Sequence, residues 1–211
     1  LGAFYWVTPI PADWPNQRVE SKLREYNRYM LRLISIHEAL PGHWIQFEHA
    51  SAIEPRSRRL VRSVFGNGPY VEGWAVYITR VLVEEGYLAA PGERVNPRLY
   101  LTLLKGELRA IANAILDVRL HTADMTDQQA LDLMVNDTFQ ERTEAEQKLQ
   151  RAKLSSAQLP TYFLGLEQWL RLREEVRKAE GSAFSLKRFH DRALAQGALP
   201  LPVLRGILLA R

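Results

Sequence analysis

The stretch His37-Glu38-Ala39-Leu40-Pro41-Gly42-His43 gathers two imidazoles and a carboxylate, the residue types from which hydrolytic zinc sites are built. In such sites neutral imidazoles bind the metal, and the glutamate takes a proton from the attacking water. The usual H-E-x-x-H spacing sets both histidines one turn apart on one helical face. Here the second histidine comes six residues after the first. On an unbroken helix that turns it roughly 120° away. Pro41 cannot donate to the carbonyl of His37, and Gly42 tolerates unusual dihedrals. A local bulge that absorbs two residues would therefore return His43 to His37. The bland reading of the same residues is a packed core histidine followed by a Pro-Gly helix stop. Spacing alone leaves both open.

A third ligand is needed, and Glu72 is the best candidate. It lies in Val71-Glu72-Gly73-Trp74-Ala75-Val76-Tyr77, where a buried carboxylate is costly unless paired or bound to metal. Its position in a first helical turn, where the helix dipole favours an anion, explains it equally well. The chain has no cysteine. That excludes disulfides, thiolate nucleophiles and cysteine-based structural zinc, and leaves His, Asp and Glu as ligands. Zinc is the expected metal, although a His/His/Glu set suits other divalent ions. His49 and His190 read as structural, His190 bonded to a backbone carbonyl.

The elements that must hold these residues read as helices. Val19, Leu23, Tyr26, Met30, Leu33 and His37 form a stripe that predicts one helix from Arg18 to Leu40, with His37 on its buried face. His43 onward resumes it. Gly66-Asn67-Gly68-Pro69 is a turn signal, followed by a nearly all-apolar helix over Val71–Glu85. Further helices are predicted over Pro97–His121, Glu141–Leu154, Thr161–Glu180 and Leu186–Ala195, and Thr126 opens a capping box with Gln129. Gly86, Gly181 and Gly197 are helix stops. Residues 1–16, rich in proline and aromatics, predict an extended segment with a short strand over Phe4–Thr8. The fold expected is all-α, one helical domain over 1–211. Its divisions are the extended 1–16, a metal-bearing 17–54, a Glu72 helix over 69–86 and C-terminal helices over 97–211.

Composition fits an ordinary globular protein, with 46% hydrophobic and 25% charged residues. The 28 Lys+Arg against 24 Asp+Glu give a net charge of +4 spread along the chain, which recommends no nucleic-acid partner. Arg56, Arg58, Arg59 and Arg62 read as a solvated turn and helix face. No apolar run is long enough to span a membrane, and no signal peptide is visible. The compartment stays open between cytoplasm and periplasm or exterior.

HEALPGH with Gln46, followed by EGWAVY, closely resembles a large bacterial domain-of-unknown-function family grouped with the gluzincin metallopeptidases. That family carries H-E-A-x-P-G-H-H-x-Q and E-G-W-A-L-Y-A-E. The resemblance runs on through Ala3-Phe4-Tyr5, Leu116–His121, Ser156–Gly165, Phe189-His190-Asp191 and Gly197–Leu201. It implies a zincin-like helical fold, His37, His43 and Glu72 as metal ligands, and Glu38 as general base on a short peptide substrate. Zincins of similar architecture, such as thimet oligopeptidase and angiotensin-converting enzyme, add a late His and Tyr that hold the oxyanion. By that analogy His121 and Tyr162 take the role. Asp117 offers His121 an ordinary i,i+4 partner as the alternative. Arg151 and Gln158 are weaker candidates for gripping substrate, with a solvated helix face as the other reading of Arg151. Family members are usually much longer, so the resemblance implies a C-terminal, metal-bearing part whose N-terminal half supplies one wall of the cleft. The departures are Trp44 for the second His after Gly, Thr79 for the last Glu of the EGW motif, and Ser156-Ala157 for Pro-Gly. A helical module that keeps a metal or peptide site without turnover is the competing function.

Overall fold

The computed structural model describes residues 4–210, so Leu1–Ala3 of the expected extended segment, Ala3 of the Ala3-Phe4-Tyr5 resemblance among them, lie outside the described residues. The first part of the chain carries α1 (Asn16–Glu25), α2 (Arg28–Glu38), α3 (His43–Ser51), α4 (Arg56–Val64) and α5 (Gly68–Glu84). Then come α6 (Pro97–Thr122), α7 (Asp127–Asp132), a π-helical turn over Leu133–Asp137 and α8 (Arg142–Leu154). The chain closes with α9 (Pro160–Glu180), a 3₁₀ turn over Gly181–Ala183, α10 (Leu186–Leu194) and α11 (Leu201–Leu209). The fold is all-α. The short strand expected over Phe4–Thr8 does not form. Among the described residues there is no strand for it to pair with, and Phe4, Trp6 and Val7 are exposed.

The helix expected from Arg18 to Leu40 is two helices. Asn27 breaks it, because its Oδ1 accepts the backbone N–H groups of Tyr29 at 3.0 Å and Met30 at 3.2 Å and so caps α2. Thr126 and Gln129 do form the capping box of α7. Gly86, Gly181 and Gly197 adopt positive φ (90°, 56° and 71°), the conformation their stop positions require. Of the arginines read as a solvated face, Arg56 and Arg58 are exposed in α4 as expected, whereas Arg59 and Arg62 are half-buried. Arg59 Nη1 donates to the carbonyls of Ser51 and Ile53, and Arg62 packs beside Gly197, while Leu60, Val61, Val64 and Phe65 are exposed.

Where sequence reading treats 1–211 as one domain, the contacts divide it into two compact units, each assembled from separate stretches. One comprises the chain up to Ser35 and Leu82–Pro160; the other comprises Ile36–Val81 and the chain from Thr161 onward. The first has a core of Leu116, Met134, Leu149 and Leu159, with a smaller cluster of Leu33, Val83, Leu99 and Leu103. It also buries a charged network. Glu25 accepts from Lys105 at 2.8 Å, Arg109 donates to Glu144 at 2.9 Å, and Glu144 also takes Lys22 and Tyr26. Burying such charges is tolerable only when each finds partners, as these do.

The second unit is built on aromatic rings. Tyr70, Trp74, Tyr77, Trp169 and Phe189 are essentially buried, and apolar residues of α9, α10 and α11 surround them. Inside it α5 and α9 cross backbone against backbone at Gly73 and Gly165. A Cβ on Gly73 would lie 2.5 Å from the Gly165 Cα, and one on Gly165 would strike the carbonyl of Pro69. Only glycine permits that approach.

Candidate metal centre

α2 ends at Glu38 and α3 begins at His43, so Ala39–Gly42 form a turn. Its amides reach far back: Gly42 N donates to Ile36 O at 3.0 Å and Trp44 N to Ala39 O at 3.2 Å. A Cβ on Gly42 would collide with the carbonyl oxygens of His37 and Ile36, so the motif's glycine is a steric requirement. The turn takes up the two residues by which the spacing exceeds H-E-x-x-H. His43 consequently stands beside His37, ring centroids 4.8 Å apart and nearly perpendicular at 85°.

Trp74 holds this turn from α5. Its indole Nε1 donates to Pro41 O at 3.1 Å and Gly42 O at 3.2 Å. Two positions earlier on the same helix, Glu72 places Oε2 3.5 Å from His37 Nε2 and 3.3 Å from His43 Nε2. Burial pushes the Glu72 carboxyl pKa up, but the two imidazoles outweigh it and bring it down to about 2. One ligand atom from each of His37, His43 and Glu72 falls within a set no more than 4.8 Å across.

The residues fit a divalent metal. An ion with four bonds of about 2.1 Å has tetrahedral edges of about 3.4 Å between donor atoms. The carboxylate–imidazole separations of 3.5 and 3.3 Å match that edge. Glu72 Oε2 is buried with no hydrogen bond of good geometry among the described residues, a cost that a cation would offset. The donor set of two nitrogens and one carboxylate oxygen is that of His₂Glu hydrolytic zinc.

The other expected site residues divide between the units. Tyr162, in the first turn of α9, stacks near His37 with centroids 6.4 Å apart and planes 25° from parallel. It stands three residues before Gly165, where α9 meets Gly73 of α5. Glu38 closes α2 as an exposed side chain immediately after His37. His121, Arg151 and Gln158 lie in the other unit. His121 Nδ1 donates to the carbonyl oxygen of Asp117 at 2.7 Å, while the Asp117 carboxylate accepts the amide of Ala157 at 2.9 Å. A neutral His121 so held presents a lone pair at Nε2, so it donates there only as imidazolium. Arg151 Nη2 donates to Gln158 Oε1 at 3.2 Å, tying the two weaker candidates to each other.

The departures also have physical settings. Ala157 sits at φ +64°, where the resembling motif has glycine, a conformation that costs a non-glycine residue roughly 1–2 kcal/mol. Thr79 is buried and its hydroxyl bonds back to Ala75 O at 2.7 Å. His190 is structural, but its Nε2 pairs with the Tyr77 hydroxyl at 2.8 Å where a backbone carbonyl was expected. Two site neighbours escaped sequence reading. Phe47 lies against the His43 ring at 5.8 Å, one turn along α3. Trp74 had a visible signal, since a buried indole N–H in an apolar helix must find an acceptor outside it.

A search of curated proteins gives no match. Residues 2–208 match a family described as bacterial protein of unknown function, DUF885. The chain belongs to DUF885. Two solved structures are similar to this DUF885 chain. A provisionally assigned lipoprotein of unknown function from Shewanella oneidensis is 42% identical with a TM-score of 0.85, over all of this chain and 37% of that one. A provisionally assigned lipoprotein from Colwellia psychrerythraea is 28% identical with a TM-score of 0.76, over 88% of this chain and 30% of that one. This DUF885 chain therefore spans about a third of the length of each.

Proposed function

We propose that this chain bears the metal site of a zinc-dependent hydrolase that cleaves peptide bonds in short peptides. The observation that carries the reading is the single carboxylate oxygen of Glu72 standing 3.5 and 3.3 Å from the Nε2 atoms of two histidines brought together by a dedicated turn. His37, His43 and Glu72 hold the ion. When bound, zinc supplies Lewis-acid polarisation of a carbonyl and acidifies water to near neutrality.

The remaining chemistry belongs to side chains. The Glu38 carboxylate, exposed beside the first ligand, accepts a proton from the attacking water and returns it to the leaving amine. The Tyr162 hydroxyl donates to the oxygen that gains charge. His121 lies in the other unit, with its Nδ1 proton committed to Asp117 O, so the role falls to Tyr162.

The test is Glu38→Gln, with short-peptide hydrolysis followed by mass spectrometry. The zinc-loaded parent is expected to cleave, and the variant to lose about 10²–10⁴-fold of that rate while keeping its zinc. Equal rates would remove Glu38 from the reaction. A zinc-loaded parent with no hydrolysis would leave a metal-binding module without turnover.

A further inference from the structure

We infer that Trp74 is a positioning residue for the metal: its indole N–H fixes the Ala39–Gly42 turn and thereby makes ligands of two histidines whose sequence spacing would separate them. The inference rests on the zinc reading above and assigns the device that makes it geometrically feasible.

The turn has little regular bonding of its own. Its amides bond six and five residues back, from Gly42 N to Ile36 O and from Trp44 N to Ala39 O. The carbonyls of Pro41 and Gly42 precede His43 directly, and both accept from Trp74 Nε1, at 3.1 and 3.2 Å. Gln46 N also reaches Gly42 O at 3.3 Å, so the acceptor that starts α3 is one that Trp74 grips. The indole itself cannot shift. It is 1% exposed and packed edge-on against Trp169 and His190, each with ring centroids 5.3 Å away. Helix α5 thus delivers two groups to one seven-residue stretch: a carboxylate to its imidazoles and an N–H to its carbonyls. Groups that orient metal ligands without touching the ion typically change affinity by about 10–100-fold when removed.

A matched control exists in the same core. Trp169 is 0% exposed and its Nε1 donates to Tyr70 O at 3.1 Å, an acceptor outside the turn. The experiment measures zinc affinity of the parent, Trp74→Phe and Trp169→Phe by chelator competition, with thermal melts of the metal-free proteins alongside. Both variants should lose stability through lost packing. Zinc affinity should fall about 10–100-fold in Trp74→Phe and clearly less in Trp169→Phe, which reaches the turn only through its packing on Trp74. Equal losses in the two variants, or an unchanged Trp74→Phe, would overturn the inference while leaving the metal site standing. A parent that binds no zinc would overturn the underlying reading instead. If Trp74→Phe does not fold, Gly42→Ala disturbs the same turn and leaves the aromatic core intact. It should lose affinity to the same degree, and retained affinity there would refute the role of the turn.

Discussion

At the scale of single residues, Glu72 and His190 show how one unit treats charge in opposite ways. Glu72 keeps its charge in a partly buried place because two imidazoles face it. His190 gives its charge up. Burial, aided by Arg173, lowers its pKa to about 4 from an ordinary value of 6.5, so at neutral pH it pairs with Tyr77 as a neutral ring. Between those two values the unfolded chain binds the extra proton. This contribution to stability is therefore complete above about pH 6.5, shrinks as the pH falls, and is gone below about 4. Its full size is on the order of 3 kcal/mol at most. Urea unfolding of metal-free protein from pH 7 to 4 should show His190→Gln losing less stability than the parent; parallel curves would contradict the assignment. Residue chemistry was the most legible level in the sequence. HEALPGH and Glu72 contain the donor types, and Pro41-Gly42 contains the means of joining them. The partner of His190 was not legible, because Tyr77 is 113 positions away in the chain.

At the scale of elements, the centre depends on how α5 meets α9. The Gly73–Gly165 crossing adjoins Glu72 and lies three residues from Tyr162, so a methyl group inserted there should displace both from the His37 ring. Gly165→Ala is expected to cost about 1–3 kcal/mol by overpacking and to weaken zinc binding with it. Gly206→Ala in α11, where an added Cβ meets nothing within 4 Å, should be neutral or stabilising. Thermal melts and zinc titration of the two variants check the pair, and a harmless Gly165→Ala would contradict the close crossing. Long periodic helices were readable within a few residues of their ends: α5, α6 and α9 are driven by continuous apolar faces. Two features were not. The split between α1 and α2 rests on one asparagine accepting two amides, inside a stripe that would otherwise continue. Helix α4 defeats periodicity because Arg59 and Arg62 are half-buried while Leu60, Val61 and Val64 face out.

At the scale of the whole molecule, two units interleave in sequence, and no stretch of composition marks their boundaries. The division falls within α2, just before His37, within α5, nine residues after Glu72, and after the first residue of α9. Helical continuity therefore hides it from a reader of the sequence. Among the described residues no helix is long and apolar enough to cross a membrane. The central claim is that two segments far apart in sequence form one metal site, and the metal content of the protein tests it most directly. Elemental analysis of the purified parent supplied with zinc should give about one zinc per chain, and both His37→Ala and Glu72→Ala should lose it. A parent without metal, or a Glu72→Ala variant that keeps the full complement, would contradict the account.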